Sequence, residues 1–71
     1  MAKKSIHDER YRSIIERLVK ARTDAGMTQQ QVADKLDKPQ SYVAKYENCE
    51  RRLDIVELED ICKILRIKKP I

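Results

Sequence analysis

Residues 28–48 read TQQQVADKLDKPQSYVAKYEN, two short amphipathic stretches hinged at Asp37-Lys38. On a helical wheel the second stretch sends Val43 and Tyr46 inward with Glu47 beside them. Ser41, Ala44, Lys45 and Asn48 share the opposite side, and Gln40 stands at the helix start. The outward side is therefore short, polar and free of acid. Serine, glutamine, asparagine and lysine supply the donors and acceptors that base edges and phosphates require, and Ala44 leaves room for close approach to a groove wall.

The first stretch opens at Thr28, where Gln31 three residues later completes a capping box, and its inner face is Val32, Ala33 and Leu36. Lys38 precedes Pro39, whose ring disfavours helix in the residue before it but suits the first turn of a new one, so the chain turns over residues 37–39 and restarts. Upstream, Tyr11, Ile14, Ile15, Leu18 and Val19 form an apolar stripe that Arg22 continues. This predicts a helix over residues 7–25, stopped by Gly26, with Met27 packing into the core. Downstream, Asp54 and Glu57 form a second capping box ahead of Leu58, Ile61, Cys62 and Leu65, with Ile55 extending that inner face and the helix ending by Ile67. The domain is thus expected over residues 7–67, with a basic arm at 1–6 and a short tail at 68–71.

Seventy-one residues allow one domain, and a single Gly, two Pro, three Tyr and no Phe or Trp argue for helices rather than a sheet. The fold expected is a compact all-α bundle of four or five short helices containing a helix-turn-helix. No run resembles a signal peptide or a membrane span, so a cytoplasmic protein without membrane contact is expected. The net charge of +4 is distributed in blocks: residues 1–22 carry +4, 23–37 −2, 38–52 +2, 53–65 −3 and 66–71 +3. A polyanion is attracted to the first and third blocks and repelled by Asp54, Glu57, Glu59 and Asp60, although solvated helix faces also produce such runs.

Cys49 and Cys62 lack metal-site spacing and His7 is the sole histidine, so neither a zinc site nor any cofactor is expected. Cys62 lies on the apolar side of the last helix, and Cys49 is expected exposed in a loop with both thiols reduced. Catalysis is not expected either. There is no nucleophile with a plausible His partner, no glycine-rich phosphate loop and no pair of carboxylates at an obvious cleft.

With the helix pair, its caps and the following loop placed, the chain resembles the Cro/phage-repressor type, or XRE-like, helix-turn-helix family. The resemblance is carried by Arg22, then Gly26-Met27-Thr28-Gln29, Val32-Ala33, Pro39-Gln40-Ser41-Tyr42-Val43, Tyr46-Glu47-Asn48 and Arg51-Arg52-Leu53-Asp54. It implies a phage-repressor-like domain in which the first helix of the pair crosses the phosphate backbone of double-stranded DNA and the second enters the major groove. It further implies base reading by Gln40, Ser41 and Lys45. Tyr42 on the flank either touches a thymine methyl or phosphate or packs. Gln29 matches the family's phosphate-contacting glutamine, and Thr28, Lys38, Asn48, Arg51 and Arg52 are the other phosphate candidates. Glu47 lies inward and needs a cation, which the resemblance supplies as Arg22, a structural ion pair. Two departures stand out: Cys49 occupies a usual glycine position, so that a positive φ there would cost about 1 to 2 kcal/mol, and only six residues follow Leu65, so effector binding inside this chain is not expected.

The function implied is a sequence-specific transcriptional regulator of bacterial or phage type. It would be a repressor or autoregulator, acting as a homodimer on a two-fold operator, with the fourth helix and the 67–71 tail as candidate dimer contacts and the extended first helix as a further one. The competing reading is a protein-interaction module, such as an antitoxin or adaptor subunit, drawn from the acidic fourth helix and the apolar tail.

Overall fold

The computed structural model describes residues 8–69, and these form four helices in the order α1 (Glu9–Asp24), α2 (Gln29–Leu36), α3 (Gln40–Glu47) and α4 (Ile55–Leu65). The basic arm expected at residues 1–6, His7, and Pro70 and Ile71 of the tail lie outside the described residues. Each start has a local cause. Asp8 accepts from the Arg10 amide, and both expected capping boxes are formed, Thr28 with Gln31 and Asp54 with Glu57. Pro39 differs from the sequence reading: it stands one place earlier, as the N-cap of α3 with φ −72° and ψ 156°, and Gln40 is the first helical residue.

All four helices stop in the same way. Gly26, Asp37, Cys49 and Arg66 adopt left-handed backbone with φ of 72°, 61°, 58° and 60°. Immediately after each, an amide closes back on the last turn: Met27 to Arg22, Lys38 to Ala33, Glu50 to Lys45 and Ile67 to Cys62, at 2.8 to 3.1 Å. Only the first stop uses glycine. The others hold a side chain where L-residues are strained by about 1 to 2 kcal/mol, with the carbonyls satisfied in return.

The helices pack α2 on α3 and α4, and α1 on α3 and α4. Ile15 and Leu18 of α1 meet Val32 and Ala33 of α2, Val43 and Tyr46 of α3, Leu53, and Leu58, Ile61, Cys62 and Leu65 of α4 in one buried cluster. Ala33, fully buried, lets a neighbouring helix cross closely. Two expectations fail here. Ile55 does not extend the inner face: it is 58% exposed and Val56 60%, Ile55 lying at the rim of an open cleft against Tyr11, Ile14 and Ile15 of α1 rather than in the closed core. Cys49 is half-buried rather than exposed, because its small apolar side chain packs against the buried cluster. No described helix is long and apolar enough to cross a membrane.

Candidate nucleic-acid interface

α3 is eight residues long and amphipathic in the sense its sequence requires. Val43 and Tyr46 are buried, Ala44 is half-buried, and Gln40, Ser41, Lys45 and Asn48 are exposed. Its N-terminus has no side-chain cap. The Tyr42 amide turns back to the Pro39 carbonyl at 2.9 Å, and among the described residues no side-chain hydrogen bond caps the helix start. The end of α3 that carries Gln40 and Ser41 therefore presents both side-chain and backbone donors.

A directed chain of hydrogen bonds fixes that end. Arg22 of α1 donates through Nε to Glu47 Oε2 at 2.7 Å and through Nη2 to Oε1 at 3.2 Å, and its Nη1 donates to the Met27 carbonyl at 2.8 Å. The two side chains are 14% and 6% exposed, so the pair is desolvated. Glu47 Oε1 also accepts from Gln29 Nε2 at 2.8 Å, and Gln29 Oε1 accepts from Gln40 Nε2 at 2.6 Å. Because an ionised carboxylate only accepts, Gln29 must turn its NH2 to Glu47 and its carbonyl to Gln40, and Gln40 must answer with its own NH2. Gln40 keeps its carbonyl oxygen and one N–H for an outside partner, in an orientation set from α1.

A second cluster gathers around Tyr42, on the flank of α3. Arg51 donates to both carboxylate oxygens of Glu57 at 3.1 and 2.8 Å, and its guanidinium lies 4.7 Å from the centre of the Tyr42 ring. Lys38 Nζ lies 5.4 Å from the same ring, and Tyr46 meets it edge-on at 5.8 Å. The Arg51 hydrogen bonds, and then the Asp54 amide, hold the Glu57 carboxyl down at about 2. Burial first, and then the Glu57 charge, push the Tyr42 hydroxyl up to about 12, so it stays protonated at neutral pH.

A helix-turn-helix family model, HTH_3, matches residues 18–70. A solved structure, an XRE-family like protein from Pseudomonas syringae pv. tomato str. DC3000, is 44% identical with a TM-score of 0.84, over 90% of this chain and 78% of that one. This chain belongs to the XRE family of helix-turn-helix DNA-binding regulators. No curated protein matches it.

In this XRE-family domain the residues singled out from sequence separate into three groups. Ser41, Lys45 and Asn48 are exposed and make no side-chain hydrogen bond among the described residues, and Lys38 is exposed with its ammonium beside Tyr42. Thr28, Gln29 and Gln40 are joined to the scaffold. The Thr28 hydroxyl oxygen accepts from the Gln31 amide at 3.1 Å, leaving its O–H to donate elsewhere, and the two glutamines link the N-termini of α2 and α3. Arg51 is turned onto Glu57 with its guanidinium against the Tyr42 ring, whereas Arg52 is exposed with its guanidinium 5.5 Å from the centre of the Tyr11 ring.

Two residues that matter here were missed by sequence reasoning. Glu57 was assigned to the α4 cap, which it does form, accepting from the Asp54 amide at 3.0 Å; that it simultaneously holds Arg51 has no signal in spacing. Tyr11 was assigned to the apolar stripe, and its hydroxyl contacts to the loop after α3 lie beyond any periodicity.

Proposed function

We propose that this XRE-family chain is a sequence-specific repressor or autoregulator, acting in the cytoplasm as a homodimer on a two-fold operator with α3 in the major groove of each half-site. The observation that carries this reading is the Arg22–Glu47–Gln29–Gln40 chain. It preorganises Gln40 with one acceptor and one donor facing out, the pattern that adenine N6 and N7 require, worth about 1 to 3 kcal/mol of discrimination when the pair is bidentate. Ser41 and Lys45 extend the base-facing side, with Tyr42 on its flank. Thr28, Gln29, Lys38, Asn48 and Arg52 face phosphates on either side, and Arg51 joins them only by giving up part of its hold on Glu57. One recognition helix spans too few bases for useful specificity, so two copies about 34 Å apart on one face of the duplex supply the remainder. Occlusion of a promoter then suffices as mechanism, with no chemical step.

Selection of bound fragments from a random duplex pool tests this directly: a two-fold enriched motif is expected, and its absence refutes operator and dimer together. Gln40→Ala and Lys45→Ala should lower affinity for the selected site while leaving the melting temperature in place.

The adaptor or antitoxin reading draws support from Ile55 and Val56, exposed apolar residues beside Asp54, Glu59 and Asp60 at the start of α4. Salt separates the two readings, because DNA binding weakens steeply through counterion release while a protein seated on an apolar patch responds far less.

A further inference from the structure

The segment between α3 and α4 has no regular secondary structure, yet the two backbone groups that bracket Arg52 end on one side chain. Tyr11, in the first turn of α1, accepts through its hydroxyl oxygen from the Leu53 amide at 3.0 Å and donates to the Arg51 carbonyl at 3.4 Å. The Arg52 guanidinium lies over the same ring. A hydroxyl both donates and accepts, so one group satisfies an N–H and a C=O that face each other across a single residue. Leu53 is buried, so its amide has little water to turn to if that hydroxyl is removed. Arg51 on one side is fixed by Glu57, and Leu53 on the other by the core, which leaves Arg52 as the exposed residue of a loop tied down at both flanks.

We propose that Tyr11 is a positioning residue for DNA binding, presenting Arg52 to a backbone phosphate by holding the peptide groups on either side of it. The inference rests on the DNA-binding reading above and adds a residue outside the helix-turn-helix to it. Its physical content is preorganisation: a loop already ordered by the Tyr11 hydroxyl does not pay to order Arg52 when the phosphate arrives.

The test is a double-mutant cycle on the whole chain, with Tyr11→Phe, Arg52→Ala and the pair, read as affinity for a mixed-sequence duplex at low salt and as amide exchange at Leu53. Phenylalanine keeps the ring and its packing, and thermal melts identify a temperature at which all four proteins are folded. Tyr11→Phe is expected to weaken binding about fivefold when Arg52 is present and less than about twofold when it is not, the signature of coupled neighbours. Leu53 exchange should accelerate in Tyr11→Phe in either background. Equal loss of affinity in both backgrounds would reduce Tyr11 to a packing residue and overturn the proposal, as would unchanged exchange at Leu53. Failure of the unsubstituted chain to bind duplex at all, with Leu53 still released by Tyr11→Phe, would overturn the DNA-binding reading and this proposal with it while leaving the clamp as a measured property of the fold.

Discussion

Two arginine–carboxylate forks flank α3, made of the same atoms in different surroundings. Arg22–Glu47 joins α1 to the end of α3 with side chains 14% and 6% exposed, whereas Arg51–Glu57 joins the following loop to α4 at 38% and 24%. Around the first, Met27 and Gln29 occupy further donors and acceptors, and no buried side-chain nitrogen or oxygen among the described residues lacks a partner. Around the second, water reaches both ions, and an aromatic ring and a helix cap share the arrangement. Burial decides what each fork can do. A dry pair cannot lose one member without stranding a charge, while a half-wet pair trims orientation and yields cheaply.

The largest expected effect therefore belongs to the dry fork. Arg22→Ala should cost about 3 to 5 kcal/mol in urea unfolding, and base-specific binding should go with it because Gln29 and Gln40 lose their anchor. A loss below about 1 kcal/mol would make the two forks equivalent and break the contrast.

Glu57→Gln should cost only about 1 kcal/mol at neutral pH, after allowing for solvent screening. Its pH dependence sharpens the point. The folded state holds this carboxyl at about 2 against an ordinary 4.5, so the unfolded chain binds more protons between those values. The stabilisation is complete above about pH 4.5 and disappears as the pH falls toward 2, so wild type and variant should converge there. Parallel curves from neutral to acid would show that Glu57 acts through the helix cap and not through its charge.

The smallest effect lies between the forks. Cys49, two residues after Glu47 and two before Arg51, is strained at φ 58° but packs against the core. Cys49→Gly should stabilise by less than about 1 kcal/mol, the strain relieved being offset by lost burial. A drop in melting temperature would show that the thiol's packing outweighs its backbone strain.

The helix stops show how much was legible in sequence and why the rest was not. Gly26 announces its left-handed stop because glycine is cheap there, and Cys49 raised the question only through the family position it occupies. Asp37 and Arg66 carry no such mark, yet both adopt the same geometry because the next amide finds a carbonyl to close on. The helices themselves were readable, since an apolar residue every three or four positions reports which side loses water. Ile55 has the right period but stays 58% exposed at the rim of a cleft against α1, because period reports a side of the helix and not how completely a neighbour covers it.

Sequence alone determined the all-α class, both capping boxes, the inner faces apart from Ile55 and the polar outward side of α3, because each depends on residues within about one turn of one another. Only the tertiary structure decided that Gln29 aims Gln40, that Arg51 turns to Glu57, and that Tyr11 holds the loop around Arg52. These contacts join residues in different elements, from 6 to 42 positions apart. The direction of a hydrogen bond between two elements follows from how they are placed in space, and that placement is set by how the whole core packs.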